Sequence, residues 1–135
     1  MQGTEGAADA TASGVPLEGQ EALDRLRRFG GDRLARDMIA LFAESVPERF
    51  AAARTALQTG DVDTLVRTMH GLKSSSAQLG GPGAARLCAA VEHAARAEQL
   101  FGLAPTIDRA EQAVHELLAW LAQAVQALPP EPDAR

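Results

Sequence analysis

The feature that most constrains the fold is the spacing of apolar residues near the carboxyl terminus. These residues alternate steps of four and three, in the order Leu103, Ile107, Ala110, Val114, Leu117, Leu121, Ala124 and Leu128. A helix turns about 100° per residue, so this spacing places them on one stripe. Helices with such a stripe pack at a shallow angle in coiled coils and four-helix bundles. The spacing predicts a long packed helix, with Pro105 in its first turn.

Glycine and proline divide the amino-terminal half into two further helical segments. Gly30 and Gly31 end a short first helix over residues 17–29. A longer helix follows over residues 32–58, and we expect Pro47 to kink or break it, because proline has no backbone donor. We place the apolar stripe of this longer helix on Leu34, Met38, Leu41, Phe42, Ser45, Phe50, Ala53 and Leu57.

Two further turns separate the remaining helices. Gly60 and Asp61 form a stop and an N-cap for a central helix, which ends at the glycines and proline of residues 80–83. The next helix covers residues 84–99. We expect its inward residues to be Leu87, Ala90 or Val91, and Ala94. Short loops between long helices make neighbours antiparallel. The chain is therefore predicted to be an all-α, up-down antiparallel four-helix bundle with a short extra N-terminal helix.

Composition supports a single helical domain. Hydrophobic residues make up 46% of the 135 residues, yet aromatics only 4%, and no segment alternates with the period of two that marks strands. We expect the folded domain over residues 17–128, with disordered tails over 1–16 and 129–135. The net charge of −5 and the lack of a basic run argue against nucleic acid or a membrane surface as partner. The amino terminus lacks the regions of a signal peptide, so we expect a cytoplasmic protein.

The central helix separates an apolar face from an exposed one. Its inward residues recur every three or four positions, and they are Val62, Leu65, Met69, Leu72, Ser76 and Leu79. His70 lies roughly 130° from the centre of that stripe. It shares its side of the helix with Lys73, Ser74 and Ala77. The pattern therefore predicts an imidazole at the surface, one turn from a lysine and among small side chains.

These residue types suit phosphoryl transfer. A neutral imidazole nitrogen is a competent nucleophile that can hold a covalent intermediate. Phosphoryl transfer needs mainly positioning and positive charge near the transferring oxygens, and Lys73 supplies a movable charge on the same side as His70. Gly71, Ser74 and Ala77 are small enough to leave room for a phosphoryl donor. No Gly-rich phosphate loop or kinase motif is present, so we expect no kinase activity of its own.

With these residues in place, the sequence resembles the histidine phosphotransfer (HPt) domains of two-component phosphorelays. The resemblance rests on residues 70–80, where His70 is followed by Lys73, by small residues and by Gly80. It extends upstream through residues 42–49 and downstream through residues 87–96, and covers roughly residues 20–125. It implies an up-down four-helix bundle in which His70 accepts a phosphoryl group from a receiver-domain aspartate and passes it to another.

The resemblance also implies roles for neighbouring residues. His70 matches the phosphorylated histidine and Lys73 the lysine that neutralises phosphate. Glu92 matches a position that orients the imidazole by a hydrogen bond, and Arg96 matches one where a basic residue lies near the site. For both, a plain surface ion pair is the alternative. Ser74 departs from the family's usual glycine. Serine is small enough that we expect the site to work, and the question it raises is whether the receiver approaches more slowly or more selectively.

Other candidate residues have simpler explanations. A receiver should dock through apolar contacts as well as charge, and we suggest that Ile39, Ala43 and Val46 flank the docking surface. The alternative is that they widen the core stripe. Cys88 is expected to be a small core residue, and His93 and His115 to be surface residues, since neither has a metal-binding partner at suitable spacing.

The sequence favours the first of three functions, and the other two are alternatives to it. The first is a free-standing, monomeric phosphocarrier without metal or cofactor of its own, whose receiver partner would carry Mg²⁺. The second is the phosphoacceptor module of a larger histidine kinase of the hybrid or chemotaxis type. The third is a helical adaptor that binds receivers without carrying phosphate. A bundle enzyme with a metal site is disfavoured, because the Glu-x-x-His pairs that such sites need are missing.

Overall fold

The computed structural model describes residues 15–129, with side chains from residue 17. It contains four helices, which we number α1 (Val15–Thr59), α2 (Val62–Gln78), α3 (Pro82–Arg96) and α4 (Ala104–Gln126). The described residues form no strand, so the all-α prediction is confirmed. Apart from residues 15–16 and 129, the predicted tails lie outside the described residues.

Helix α1 consists of two helical arms joined at a glycine pair. Gly30 (φ −142°, ψ 17°) and Gly31 (φ 73°, ψ −171°) leave the helical conformation. The positive φ at Gly31 is one that a residue with a side chain rarely adopts. Arg27 and Asp32 bridge the interruption with an ion pair of 2.6 Å. The predicted short first helix, broken at the glycine pair, is therefore present.

The expected break at Pro47 is absent. Within α1 only Gly30 and Gly31 depart from helical angles, so the second arm continues through Pro47. A proline removes one backbone hydrogen bond, but its neighbours Val46 and Phe50 are fully buried on either side of it. Packing of these two residues against the bundle holds the helical path across the missing bond. Of the two predicted outcomes at Pro47, a kink or a break, the break is therefore wrong.

The core stripe of α1 is also shifted from the predicted one. Leu41 is 63% exposed, and Leu34 and Met38 are only half-buried. The prediction is confirmed for Phe42, Phe50 and Ala53, which are buried, and the other buried residues of the second arm are Ala35, Ile39, Val46 and Ala56. The predicted and observed stripes both have helical spacing, so spacing by itself did not fix the phase of the stripe between residues 34 and 46.

Helix α2 agrees with its prediction in detail. Gly60 has a φ of 74°. Asp61 caps the helix by accepting from the backbone N–H of Thr64 at 3.2 Å, and from its hydroxyl at 2.7 Å. Of the predicted inward residues only Val62 is half-buried. The others are buried, and they are Leu65, Met69, Leu72, Ser76 and Leu79, which follows the helix.

The remaining two helices complete the bundle. Helix α3 buries Cys88, Val91 and Ala95, while the predicted Leu87 and Ala94 are half-buried at its edge and Ala90 is exposed. Helix α4 buries the predicted stripe from Leu103 to Leu121, and the last two positions are half-buried. It packs against α1 and α3 and lies diagonally opposite α2. The outer face of α2 is therefore bordered by α1 on one side and by α3 on the other.

The first arm of α1 closes one end of the bundle. It crosses the α2–α3 turn so tightly that a Cβ on Gly80 would overlap the backbone of Glu18. Arg25 donates to the Gln78 carbonyl at 3.1 Å, and Gly19 lies against the ring of Trp120. The short extra helix therefore fixes the end of α2 that follows the histidine segment.

Candidate functional site

The site is centred on His70, on the outer face of α2. Its side chain is 55% exposed, as the phase of the apolar stripe predicted. Ser74 and Ala77, one and two turns further along, are also exposed, and Gly71 is partly so. Met69 and Leu72, its neighbours toward the core, are fully buried. The buried stripe therefore anchors α2 with the imidazole directed outward.

A single carboxylate on α3 binds three side chains of this site. Glu92 is only 5% exposed, and its Oε2 lies 3.0 Å from Nδ1 of His70. Arg96 donates to the same oxygen from Nη2 at 2.7 Å, and from Nε at 3.3 Å. Nζ of Lys73 lies 2.9 Å from Oε1. The four predicted residues thus form one cluster across the α2–α3 groove.

The ionisation state of Glu92 follows from its surroundings. Burial by itself raises the pKa of this carboxyl, but the bonds from Arg96, Lys73 and His70 outweigh it and lower the pKa to about 2. Such bonds favour the charged form of an acid. Glu92 is therefore a carboxylate throughout the neutral range, and its two oxygens only accept hydrogen bonds.

This carboxylate determines which imidazole nitrogen is available. Because Glu92 only accepts, the 3.0 Å contact requires Nδ1 of His70 to carry the proton and donate it. In a neutral imidazole the other nitrogen, Nε2, then has a free lone pair. A carboxylate that accepts from one ring nitrogen sets the tautomer and the ring orientation. The arrangement therefore offers Nε2 as a nucleophile.

The charges around the imidazole leave the site positive. Lys73 and Arg96 contribute two positive charges, and Glu92 contributes one negative charge. These three side chains carry a net charge of about +1, in a chain whose net charge is −5. The side chain of Lys73 is one-third exposed, so its ammonium can reach an anion bound at Nε2 while staying close to Glu92.

The predicted docking residues on α1 need correction. Ile39 is 6% exposed and Val46 is 1% exposed, so both belong to the core and present no surface to a partner. Ala43 is exposed, but it shares a helix side with Arg36 and Arg54, and Arg54 pairs with α4. The alternative, that the two buried residues widen the core stripe, is the correct one.

Sequence reasoning missed the side chains that line the α1 border of the site. Met38, Leu41, Ser45 and Arg49 line a shallow groove on α1, together with residues of α2 that include Ser75 and Gln78. Once Val46 is known to face the core beside the predicted Phe42 and Phe50, helical spacing places Arg49 at the edge next to α2. The sequence therefore contained the information that places Arg49 beside α2, but using it required the correct core stripe of α1.

The other singled-out side chains lie outside the cluster. Cys88 is fully buried, and burial raises the pKa of its thiol to about 12, so it is a core residue as predicted. His93 and His115 are exposed. Among residues 17–129 no group of His, Cys, Asp or Glu side chains is arranged to hold a metal ion. None of the four helices is long and apolar enough over its described part to cross a membrane.

The described residues thus form a helical bundle with a carboxylate-bound histidine on an open face, as the family resemblance implied. Comparison with protein families agrees, because the Hpt domain model matches residues 37–128, which is more than half of the chain. The chain therefore belongs to the Hpt domain family, and it is a phosphotransfer module of two-component systems. The family resemblance predicted from the sequence is confirmed.

Solved structures show the same fold. Histidine-containing phosphotransfer protein B (HptB) from Pseudomonas aeruginosa PAO1 is 25% identical, with a TM-score of 0.73 over 81% of this chain and 94% of that chain. The HPT domain of the Hpt sensor hybrid histidine kinase from Shewanella is 23% identical, with a TM-score of 0.66 over 83% and 95%. No curated protein matches the sequence.

Proposed function

We propose that this chain is a phosphocarrier that accepts a phosphoryl group on Nε2 of His70 from a receiver-domain aspartate and passes it to another response regulator. The observation that carries the proposal is the contact between Nδ1 of His70 and the ionised Glu92. It supports a ring whose proton is held on Nδ1 and whose Nε2 is the nitrogen left to react on the open side of the bundle. Membership of the Hpt domain family supports the same reaction class.

The transfer step balances without any further reactant. The lone pair of Nε2 forms a bond to phosphorus while the bond from phosphorus to the aspartyl oxygen breaks. The leaving carboxylate takes that electron pair with it. The imidazole ring becomes positively charged and keeps its proton on Nδ1, where the carboxylate of Glu92 accepts the hydrogen bond and stabilises the charge. The reverse step, onto a second receiver, uses the same atoms in the opposite order.

Lys73 and Arg96 serve the transferring group. Charge on the equatorial phosphoryl oxygens is stabilised by nearby cations, which is the main protein contribution to phosphoryl transfer. Lys73 is one helical turn from His70 and already within 2.9 Å of Glu92. It can therefore approach the phosphoryl group with little movement. Gly71, Ser74 and Ala77 add little bulk beside the imidazole, which allows an in-line approach.

The partner's docking surface is proposed on the α1 side of the site. The groove lined by Met38, Leu41 and Ser45 borders the same outer face of α2 as His70, through Ser75 and Gln78. Leu41 is the largest exposed apolar side chain of this border. A receiver domain centred over His70 would cover both the outer face of α2 and this groove. These residues replace Ile39 and Val46 in the proposed interface.

Kinase activity is not part of the proposal. Phosphate enters and leaves through receiver domains, and the receiver would supply the Mg²⁺ that its own aspartyl phosphate chemistry requires. The two alternatives are a module of a larger hybrid or chemotaxis-type kinase, which would use the same atoms, and an adaptor that binds receivers without reacting. The site favours a carrier over a non-reacting adaptor, because Glu92 and Lys73 both lie where they can assist a reaction at His70.

The test is phosphoryl transfer from a ³²P-labelled receiver domain to the full chain. Wild type is compared with His70→Gln, and with His115→Gln as a matched control on the exposed side of α4. We expect acid-labile, alkali-stable label on wild type and on the control, and none on His70→Gln. Receivers that bind the folded wild type but transfer nothing would support the adaptor. Label retained by His70→Gln would place the phosphate elsewhere.

A further inference from the structure

Arg49 occupies an unusual position beside the site. Its Nη1 donates to Ser75 Oγ at 3.5 Å, the long limit of a hydrogen bond. The guanidinium lies over Gly71, since a Cβ there would be 3.6 Å from Nη1. Gly71 follows His70 directly, so Arg49 reaches the site from the α1 side, across a residue that has no side chain.

The guanidinium of Arg49 has most of its hydrogen-bonding capacity unused. It carries five donors in a fixed planar fork, and among residues 17–129 it makes the one contact to Ser75 and no ion pair within 4.0 Å. Glu48 lines the neighbouring groove together with Arg49 and Arg67, yet its carboxylate forms no ion pair with Arg49. By contrast, Arg54 on the opposite side of α1 binds two carboxylates at 2.7 Å each. Arg49 therefore has donors free for an anion that residues 17–129 do not supply.

The geometry points to Arg49 as a specificity-determining contact, which pairs with a carboxylate on the surface of the docked receiver. This inference rests on the proposed function and names the chemistry of the partner surface on the α1 side of His70. Lys73 and Arg96 already flank the imidazole on the α3 side, so the phosphoryl group has its cations there. Arg49 instead forms the wall shared by two surface grooves, which a partner must cover.

The spacing on α1 gives the partner surface a second feature. Leu41, which is exposed, lies eight residues before Arg49, or roughly 12 Å along the helix. Both line the same groove. A receiver that fits therefore presents an apolar side chain and a carboxylate at about that separation. Receivers that lack the carboxylate would leave Arg49 unpaired beneath the interface, which disfavours them.

The experiment compares Arg49→Gln with Arg109→Gln in the full chain. Arg109 is a matched control, because it lies on α4, is exposed and makes a single 3.3 Å contact with a hydroxyl, that of Thr106. Each variant removes one positive charge and one weak bond. Binding of a receiver domain is measured by calorimetric titration at low and high salt. Single-turnover transfer from the phosphorylated receiver gives the half-saturating concentration and the maximal rate.

We expect Arg49→Gln to weaken binding and to raise the half-saturating concentration roughly tenfold at low salt, with the maximal rate unchanged. Added salt should narrow this difference, and Arg49→Lys should recover part of the affinity. Phosphorylation by phosphoramidate, which needs no docked partner, should stay at the wild-type rate. Arg109→Gln should match wild type throughout.

Three results would overturn the inference. Arg49→Gln that binds and transfers like Arg109→Gln would remove any role for the side chain. A lower maximal rate at unchanged half-saturation, with slower phosphoramidate labelling, would mean that Arg49 contacts the phosphoryl group instead. A wild-type chain that binds no receiver would refute both the docking surface and the proposed function. A wild-type chain that binds a receiver but transfers no phosphate would refute only the carrier function. The effect of Arg49→Gln on binding could then still be measured by titration.

Discussion

The two sides of His70 differ in how their charges are satisfied. On the α3 side, Lys73 and Arg96 are tied to the buried Glu92 at 2.9 Å and 2.7 Å. On the α1 side, Arg49 makes one long bond to a hydroxyl, and Leu41 is open to solvent. A preorganised cluster suits a chemical step, whereas unsatisfied groups suit a partner. The comparison suggests that this domain separates chemistry and recognition between two helices.

The largest expected effect comes from the α3 side. Glu92→Gln keeps an amide oxygen for Nδ1 of His70 but removes the charge that stabilises the positively charged phosphoimidazole. We expect the maximal transfer rate to fall by about ten- to a hundredfold, as for other carboxylates that orient histidines, with receiver binding unchanged. Single-turnover transfer at saturating receiver measures this. Glu48→Gln is the matched control, and equal rates in the two variants would remove Glu92 from the chemistry.

A pair of substitutions on α1 sharpens the distinction between core and surface. Ile39→Ala should lower the free energy of unfolding by about 2–4 kcal/mol, because it leaves a cavity in the core. Leu41→Ser should leave stability nearly unchanged but weaken receiver binding severalfold, because it removes exposed apolar surface. Urea unfolding and calorimetric titration of both variants test this. A stable Ile39→Ala, or a Leu41→Ser that binds like wild type, would contradict the corrected stripe.

Stability should depend on pH through Glu92. Its pKa in the folded chain is about 2, below the ordinary value of 4.5. A lowered pKa adds stability that is complete above the unfolded value and is lost as pH falls toward the folded one. The stability difference between wild type and Glu92→Gln should therefore shrink between about pH 5 and pH 3. Urea titrations at several pH values test this, and a difference that grows with acidity would refute the ion cluster.

The smallest effect concerns Cys88, which lies on the core side of α3. Burial raises the pKa of its thiol to about 12, so almost no thiolate forms at neutral pH. We expect iodoacetamide at pH 8 to leave the folded chain unmodified and to react fully in urea. Mass spectrometry of both samples measures the labelling. Rapid labelling of the folded chain would mean that α3 separates from the core often enough to expose Cys88, and that the Glu92 cluster on α3 is then not rigid.

The sequence predicted α2 well because several signals agree there. Gly60, Asp61 and the glycines at residues 80–81 mark its ends, and a single clear stripe sets which side His70 occupies. The contact of Glu92 with His70 was expected only from the family resemblance. The convergence of three donors on its carboxylate depends on how α2 packs against α3, which no local pattern encodes.

Helix α1 shows why the rest could not be predicted. Leu34, Met38 and Leu41 have helical spacing and larger side chains than Ala35, so a local reading favours them as core. In the fold Ala35, Ile39 and Val46 face the core instead, next to Phe42 and Phe50, which the predicted stripe also contained. That choice is made by packing across the bundle. Because the core stripe of α1 was predicted in the wrong phase, Arg49 was not recognised as a neighbour of the site.

In the proposed mechanism Glu92 holds the proton of His70 on Nδ1 and leaves Nε2 to react. The most direct test is NMR of the ¹⁵N-histidine-labelled chain near pH 8, before and after phosphorylation by a receiver. We expect the Nδ1–H tautomer in the free chain and phosphorus–nitrogen coupling to Nε2 in the phosphorylated one. Phosphate on Nδ1, or an Nε2–H tautomer in the free chain, would contradict it.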